Sequence, residues 1–487
     1  MVLTLIDNHW NYEMQKLTMA FFPDRKIRVE EGAVDETGSE EARITVARTS
    51  DAVSVSFASP SLSEPVRETE PIPEGSDPEL AAGRALYRTL SRATGLSPKW
   101  GILTGVRPSK VMTRHLREDG EPEARRFFAE ELYVAPEKID LAVRVSRAEE
   151  AIMEKSTPRS FSLYIAIPFC PNRCSYCSFV SHSIGTPSAK KLFPQYFEKL
   201  LEELREDGKI ARESGLSLRS VYVGGGTPST LSAEQIRDLL QCVRENFDFS
   251  DCLEFTFEAG RPDTTTREKL QAIFDGGVDR ISINPQTMTD EILQSIGRDH
   301  TVESIRQTFR DAREVGFQNI NMDLIAGLPG DTPENFERSL QEVLTLDPES
   351  VTVHTLAYKR SSSLIPTAEL FSRGKDTAKM VDTSVRLLYN NYVPYYMYRQ
   401  TRSVGNLENV GWAKPGAESS YNVFMMEECH TIFACGAGAV TKLKRPGCDD
   451  ITRVFNYKYP YEYVNRFPDL MAQKETIRTF CHSISYD

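Results

Sequence analysis

From residue 160 onward the chain alternates between two hydrophobic periods. Short apolar runs stand at 162–167, 220–223, 254–258, 280–284, 319–324 and 350–355. Between them, at 194–206, 233–247, 264–275, 302–315 and 332–346, apolar residues recur at three- and four-residue spacing. Strand–helix alternation at this interval predicts parallel βαβ units. Six units predict an α/β fold, a partial (β/α)6 barrel over 156–365. Barrels of this kind carry their chemistry at the C-terminal ends of the strands.

The flanks read differently. Residues 1–155 form an N-terminal α+β accessory domain. Short β-rich runs lie at 2–6, 26–31, 43–47 and 53–57, the last alternating valine with small or polar residues. Residues 60–78, rich in Pro, Ser and Glu, read as a linker or loop. Helical patterns follow at 78–94, 108–116, 123–131 and 136–155. Gly101-Ile-Leu-Thr-Gly-Val-Arg-Pro-Ser-Lys110 sets two cations by a turn, which ordinary helix-start chemistry and solvated charge explain. Residues 366–487 make a C-terminal α+β region expected to cover the substrate. It holds Tyr389, Tyr392, Tyr395, Tyr396 and Tyr398, which read either as a strand packed on the barrel or as an aromatic wall.

Composition narrows the function classes. Of 487 residues 40% are hydrophobic and 9% aromatic, an ordinary globular balance. A net charge of −12 argues against a nucleic-acid footprint, which needs a basic face. No apolar run approaches the ~20 residues of a membrane span, and the first residues lack a basic segment followed by a long apolar one. The reading is a cytoplasmic protein with reduced thiols. Nine cysteines in 487 residues are too sparse for a disulfide framework.

Three of those cysteines carry chemistry: Cys170, Cys174 and Cys177, in Ile-Pro-Phe-Cys-Pro-Asn-Arg-Cys-Ser-Tyr-Cys-Ser-Phe. Thiolates bunched this tightly can hold one metal centre. A [4Fe–4S] cluster normally takes four cysteines. Three would leave one iron open to a small molecule. A Cys3His zinc site with His182 is the competing reading. Every other suggestive group falls at a strand's C-terminal end. Gly224-Gly-Gly-Thr-Pro-Ser229 follows the second run, Glu258-Ala-Gly-Arg-Pro-Asp263 the third and Asn284-Pro-Gln286 the fourth. Asp323 with Gly327-Leu-Pro-Gly330 closes the fifth, and His354 to Arg360 the sixth.

The cysteine spacing after a first strand, with Gly-Gly-Gly-Thr-Pro after the second, resembles the radical S-adenosylmethionine (SAM) enzymes. Tyr164-Ile-Ala-Ile-Pro-Phe-Cys170, Arg280-Ile-Ser-Ile-Asn-Pro-Gln286, Asn321-Met-Asp-Leu-Ile-Ala-Gly-Leu-Pro-Gly330 and Ala413-Lys-Pro-Gly416 are similar to the oxygen-independent coproporphyrinogen III oxidase family. The HemZ-type branch, the coproporphyrinogen dehydrogenases, also carries an extra N-terminal domain. The resemblance covers roughly 95–487. It implies Cys170, Cys174 and Cys177 as ligands of a [4Fe–4S] cluster. It implies Tyr164, Tyr176, Gly225, Gly226, Thr227, Glu258 and Arg298 around a first SAM, with Glu258 on its amino group and Arg298 on its carboxylate. Gln286, Asp323, Leu356 and Val440 match the site of a second SAM. Tyr164, Glu258 and Gln286 are the residues it places nearest the reaction.

The implied reaction starts with one electron passing from the cluster to SAM. The resulting 5′-deoxyadenosyl radical takes a hydrogen from a propionate, and loss of CO2 and an electron leaves a vinyl group, turning coproporphyrinogen III into protoporphyrinogen IX. The implied partners are a tetrapyrrole and a flavodoxin- or ferredoxin-type reductant, with a monomer expected. Arg261, Lys359, Arg360 and Arg399 are cations available to propionates, and His354 reads as a buried, hydrogen-bonded histidine. Three departures keep rivals open. Ala166 replaces the family's histidine, Cys177-Ser-Phe179 lacks the usual further cysteine, and Tyr421-Asn-Val-Phe-Met-Met426 replaces the His-Asn-x-x-Tyr-Trp of related haem chaperones. The rivals are another radical SAM reaction on a tetrapyrrole, such as haem opening or methyl transfer, and a haem-delivery protein.

Overall fold

Five strands of the first 71 residues pair into one sheet: β1 (Val2–Ile6), β2 (Arg28–Glu31), β3 (Arg43–Arg48), β4 (Ala52–Ala58) and β5 (Val66–Pro71). Their order is β2-β1-β3-β4-β5. The structure, a computed structural model, describes every residue except 33–40, 178–180, 359–361, 363, 365–372, 401 and 485–487. The chain divides into two units, Met1–Ser146 with Pro366–Ala378 and Met397–Glu408, and Arg147–Ile365 with Lys379–Tyr396 and Asn409–Asp487.

In the first unit, Leu3, Leu5, Ile44, Val46, Val53 and Val55 face helices Asn11–Phe21 and Pro78–Thr94 in one apolar core. Two elements differ from the sequence expectation. Asn11–Phe21 is a helix whose start has no side-chain cap, so the usual N-terminal signal is missing. Val66–Pro71 lies in the expected linker, yet it is an edge strand. Its half-buried positions carry Glu68 and Glu70, which meet Arg84, Arg88 and Arg92 of helix Pro78–Thr94. An ion-paired face leaves no apolar alternation to read. Farther along, Glu408 accepts from Trp100 Nε1 at 2.7 Å and Lys138 Nζ at 2.5 Å, all three side chains buried.

The second unit holds the predicted barrel. Its strands are β6 (Ser160–Ile167), β7 (Phe169–Cys170), β8 (His182–Ser183), β9 (Ser217–Gly225), β10 (Glu254–Gly260), β11 (Arg280–Ile283), β12 (Asn319–Ala326) and β13 (Ser350–Thr355). After them come β14 (Val393–Arg399), β15 (Glu408–Ala413), β16 (Thr431–Cys435), β17 (Val440–Lys444) and β18 (Ile451–Phe455). Strands β6, β9, β10, β11, β12 and β13 are neighbours in that order and all parallel. Thr186, Ser232, Thr266, Thr301 and Thr332 cap the intervening helices, each side chain accepting a backbone N–H. One helix starts earlier than its pattern suggested. Pro187–Glu213 carries Pro194 inside its second turn, so the proline does not mark the start.

The strands of region 366–487 continue the barrel's own sheet. Strand β15 runs antiparallel beside β13, β14 lies beyond it, and β16 runs parallel to β6 on the opposite side. The N-terminal boundary falls inside helix Pro136–Met153 rather than after it. Tyr395, Tyr396 and Tyr398 lie on β14, as in the strand reading, whereas Tyr392 precedes it and Tyr389 is exposed outside any strand. Tyr392, Tyr395 and Tyr396 are buried, and the Tyr396 ring lies where a Cβ at Gly411 would sit.

A buried ion cluster fixes β16 and the loop after it. Lys474 Nζ lies 2.7 Å from Glu203 and 2.8 Å from Asp207. Glu203 accepts from Gly436 N, Tyr463 OH and Asn456 Nδ2, while Cys435 Sγ donates to Asp207. Removing one member strands the others without water. Lys474→Met should therefore lower unfolding free energy by about 3–5 kcal/mol. Arg310→Ala at an exposed pair with Glu303 should cost under about 1 kcal/mol. Denaturant unfolding of both variants checks the contrast.

Candidate functional site

The cysteine loop is held by its neighbours before any cofactor enters. Strand β6 ends at Ile167, yet pairing continues past it: Gly226 N donates to Ile167 O at 2.9 Å and Thr227 N to Phe169 O at 2.7 Å. A Cβ at Gly226 would meet Phe169 O at 2.6 Å and Ile167 O at 2.9 Å. The glycine is thus required by backbone meeting backbone, not only by approach to a ligand. Cys177 N closes the loop on Cys174 O at 3.1 Å, and Ser175 N anchors it to Ile296 O at 3.0 Å.

Donors surround the sulfurs. Thr227 Oγ1 lies 3.4 Å from Cys170 Sγ, and Arg261 Nη1 lies 3.8 Å from Cys174 Sγ. Burial pushes the Cys170 thiol up, the Thr227 hydrogen bond pulling it back. Arg261 is itself buried, gripped by Asp263 at 3.0 and 2.8 Å and bonded to Asn172. His300 stands behind, 3.4 Å from Asp263. Arg261 therefore serves the cysteine loop and is not free for a propionate. Arg399 is buried in the first unit, donating to Leu103 O and Asn406 O. Lys359, Arg360, Ser178 and Phe179 lie outside the described residues.

The remaining candidates line the same rim. Arg298 is buried and donates to Asn284 O at 2.6 Å and Tyr176 OH at 3.2 Å, while its Nε has no hydrogen-bond partner among the described residues. Glu258 accepts from Tyr222 OH at 2.6 Å. Burial pushes its carboxyl up to about 7, the Tyr222 hydrogen bond pulling back and the Asp323 charge adding to the rise. Burial, with the Glu258 charge behind it, also holds the Tyr164 phenol above its usual range. Glu258 and Arg298 do not pair with each other among the described contacts.

Gln286 occupies the left-handed region, φ 69°, where a side chain costs of order 1 kcal/mol or more. Its N–H donates to Asp323 O and its carbonyl accepts from Ile325 N, so β12 holds the strain in place. Its buried Oε1 has no hydrogen-bond partner among the described residues. Asp323 accepts from Asn321 Nδ2 at 2.7 Å and lies 3.7 Å from His354 Nε2. Burial raises that carboxyl, but the hydrogen bonds from His354, Asn321 and Thr352 outweigh it and leave it below its usual range. Leu356 is buried, its N–H on Ala326 O. Val440 opens β17 at the rim end of β16, after a loop in which Ala437 N donates to Tyr196 OH and Tyr196 OH to Ala166 O. Ala166 packs with Ala434 and Ala439. The small residue here matches a crowded neighbourhood.

Two contributors escaped the sequence reading. Tyr222 and Tyr421 stack with ring centroids 4.5 Å apart, and each lies 6.3 Å from Tyr164. Tyr222 was legible as a polar-tipped ring on a Val-Tyr-Val strand. Tyr421 was not, because it arrives from helix Ser420–Glu427, whose start is fixed by Glu254 accepting from Ser419 Oγ and Tyr421 N.

The donor set can be tested against the competing metals. A tetrahedral zinc ion with bonds of about 2.3 Å draws its ligand atoms within about 4 Å of one another. No three of Cys170, Cys174, Cys177 and His182 bring their ligand atoms within 4.8 Å of one another. The donors beside the sulfurs and the orphaned polar atoms of Gln286 and Arg298 fit a cluster with a polar small molecule beside it.

Comparison with known proteins agrees with this arrangement. Residues 164–343 match the radical SAM superfamily profile. The chain is 39% identical over 398 residues to the oxygen-independent coproporphyrinogen-III oxidase-like protein HemZ of Bacillus subtilis, covering 80% of this chain and 79% of that one. It is 32% identical over 279 residues to the haem chaperone HemW of the same organism, covering 57% and 70%. The solved structure of Escherichia coli coproporphyrinogen III oxidase HemN superposes with a TM-score of 0.50 at 22% identity, over 66% of this chain and 72% of that one, a likeness of fold. The chain belongs to the radical SAM superfamily, whose members use a [4Fe–4S] cluster and SAM, and within it to the HemZ-like family.

Proposed function

We propose that this protein is a radical SAM oxidoreductase that converts propionate side chains of coproporphyrinogen III to vinyl groups with loss of CO2. The observation that carries the reading is the match to a coproporphyrinogen-III oxidase-like relative along four-fifths of both chains. In this reading Cys170, Cys174 and Cys177 hold the cluster, and Tyr164, Tyr176, Gly225, Gly226, Thr227, Glu258 and Arg298 surround one SAM. Gln286, Asp323, Leu356 and Val440 line the place of a second. The bound cofactors supply one-electron chemistry strong enough to remove hydrogen from an unactivated carbon.

The chain's own groups do the positioning. Glu258 accepts from an ammonium, and the free Nε–H of Arg298 donates to a carboxylate. The Gln286 amide oxygen, with no hydrogen-bond partner among the described residues, accepts from a third group. The stacked Tyr164, Tyr222 and Tyr421 fill the interior beneath and keep water from below. A flavodoxin- or ferredoxin-type protein would bring the electrons.

A second reading, haem delivery, draws on the likeness to haem chaperones. Against it, the stretch aligned with their histidine begins at Tyr421, whose ring is committed to the interior stack. One anaerobic experiment separates the readings: reconstituted protein, SAM, dithionite and coproporphyrinogen III or haem, followed by mass spectrometry. Loss of one CO2 and two hydrogens per propionate is expected. Stable haem binding with no turnover of coproporphyrinogen would overturn the proposal, as would a cleaved or methylated ring.

Glu258 gives the site a pH signature. Its carboxyl is half ionised near pH 7, and only the carboxylate attracts an ammonium. SAM affinity should therefore rise from about pH 6 to about pH 8, and Glu258→Gln should flatten the profile; calorimetry decides. Arg261 gives it a redox signature. A cationic donor on a ligand sulfur favours the more negative, reduced cluster. Arg261→Ala should lower the midpoint potential by some tens of millivolts, measured by spectroscopic redox titration, with iron content unchanged.

A further inference from the structure

The first unit contains a cavity of about 40 Å³, and none of its lining residues belongs to the cysteine rim described above. Three of its lining residues are cations: Lys16 on helix Asn11–Phe21, and Arg399 and Arg402 on the segment that returns to this unit. Gln400, Ser403 and Asn406 add polar groups, and no carboxylate among the described residues lines it. Arg399 is buried, Lys16 half-buried and Arg402 exposed, so the cost of unbalanced charge falls on Arg399.

The details sharpen that. Arg399 is 3% exposed. Its two Nη atoms are spent on Leu103 O and Asn406 O, but its buried Nε–H has no hydrogen-bond partner among the described residues. Glu408, the carboxylate whose charge reaches Arg399, is already engaged by Lys138 and Trp100. Burial pushes the Arg399 guanidinium down to about 10, and burial plus the Arg402 charge push Lys16 down. Arg402 and Asn406 both hold left-handed backbone, φ 66° and 55°. Strain of this kind persists only where surrounding structure enforces it.

We propose that this cavity binds a phosphate group. About 40 Å³ takes roughly three water-sized oxygens, enough for three of a phosphate group's four, with the fourth directed out of the cavity. Three cations with no lining carboxylate call for a dianion rather than a single carboxylate, and guanidinium donors match phosphate geometry. Met19, Ala20, Pro23 and Val106 form an apolar side to the same cavity. That side would receive the organic part of a phosphate ester, while free phosphate would leave it bare.

Calorimetric titration of the full-length protein with inorganic phosphate and with phenyl phosphate tests this, at constant ionic strength set with chloride. Saturable binding near or below about 1 mM is expected for at least one probe. Tighter phenyl phosphate would identify an ester; tighter inorganic phosphate would identify the free ion. Lys16→Ala and Arg402→Gly should each weaken binding at least about tenfold, the loss of one charge-assisted contact. Arg402→Gly also relieves its left-handed strain, so the variant should stay folded with an unchanged or higher Tm. Absence of saturable binding, equal affinity in the variants, or equally tight binding of propionate would overturn the proposal.

Discussion

Everything at the rim depends on two backbone hydrogen bonds, from Gly226 and Thr227 to the carbonyls of Ile167 and Phe169. They carry parallel pairing beyond the end of β6 into β7, whose other edge pairs with β8. Cys170 is the next residue, so the first thiol is placed by ladder geometry. A side chain at position 226 would push the two backbones apart. The sequence Gly-Gly-Gly-Thr-Pro is therefore a structural instruction first, and its chemistry follows from what it holds still.

Around that anchor the site distributes charge unevenly. Arg261 stands near Cys174, while Glu258 and Asp323 are shifted in opposite directions although burial raises both. The difference is in the partners. Glu258 has one phenol and a neighbouring negative charge, whereas Asp323 has several donors. Two carboxyls a few residues from the same rim are thus set for different protonation states at neutral pH. Gln286 shows the same economy, its backbone tied on both sides and its amide oxygen left for something else.

The barrel was legible because its strands are buried on both faces and read as continuous apolar runs. All six began and ended within three residues of expectation, and the motif residues fell on one rim as the strand ends required. Three features were hidden. Strand β5 shows charge where a buried face should show apolar residues, because Glu68 and Glu70 answer arginines from a helix. Helix Pro187–Glu213 runs through Pro194, so the strongest local punctuation misled. The pairing of β16 with β6 joins segments whose sequences carry no sign of one another. For the site, the cysteine spacing pointed to the loop after β6, but not to Arg261 turning inward to Cys174. An arginine looks the same in sequence whether it meets solvent, a substrate or a sulfur.

That last pairing has a consequence for how the molecule is made. Ser162 of β6 and His430 beside β16 are bonded at 2.8 Å across 268 residues of chain. Contacts of such separation form late, because the loop they close must be ordered first. On the ribosome, β6 and its cysteine loop emerge long before β16 exists, and until then β6 is an open edge with half its hydrogen bonds unmade. That edge closes only when translation has passed the strand that completes it.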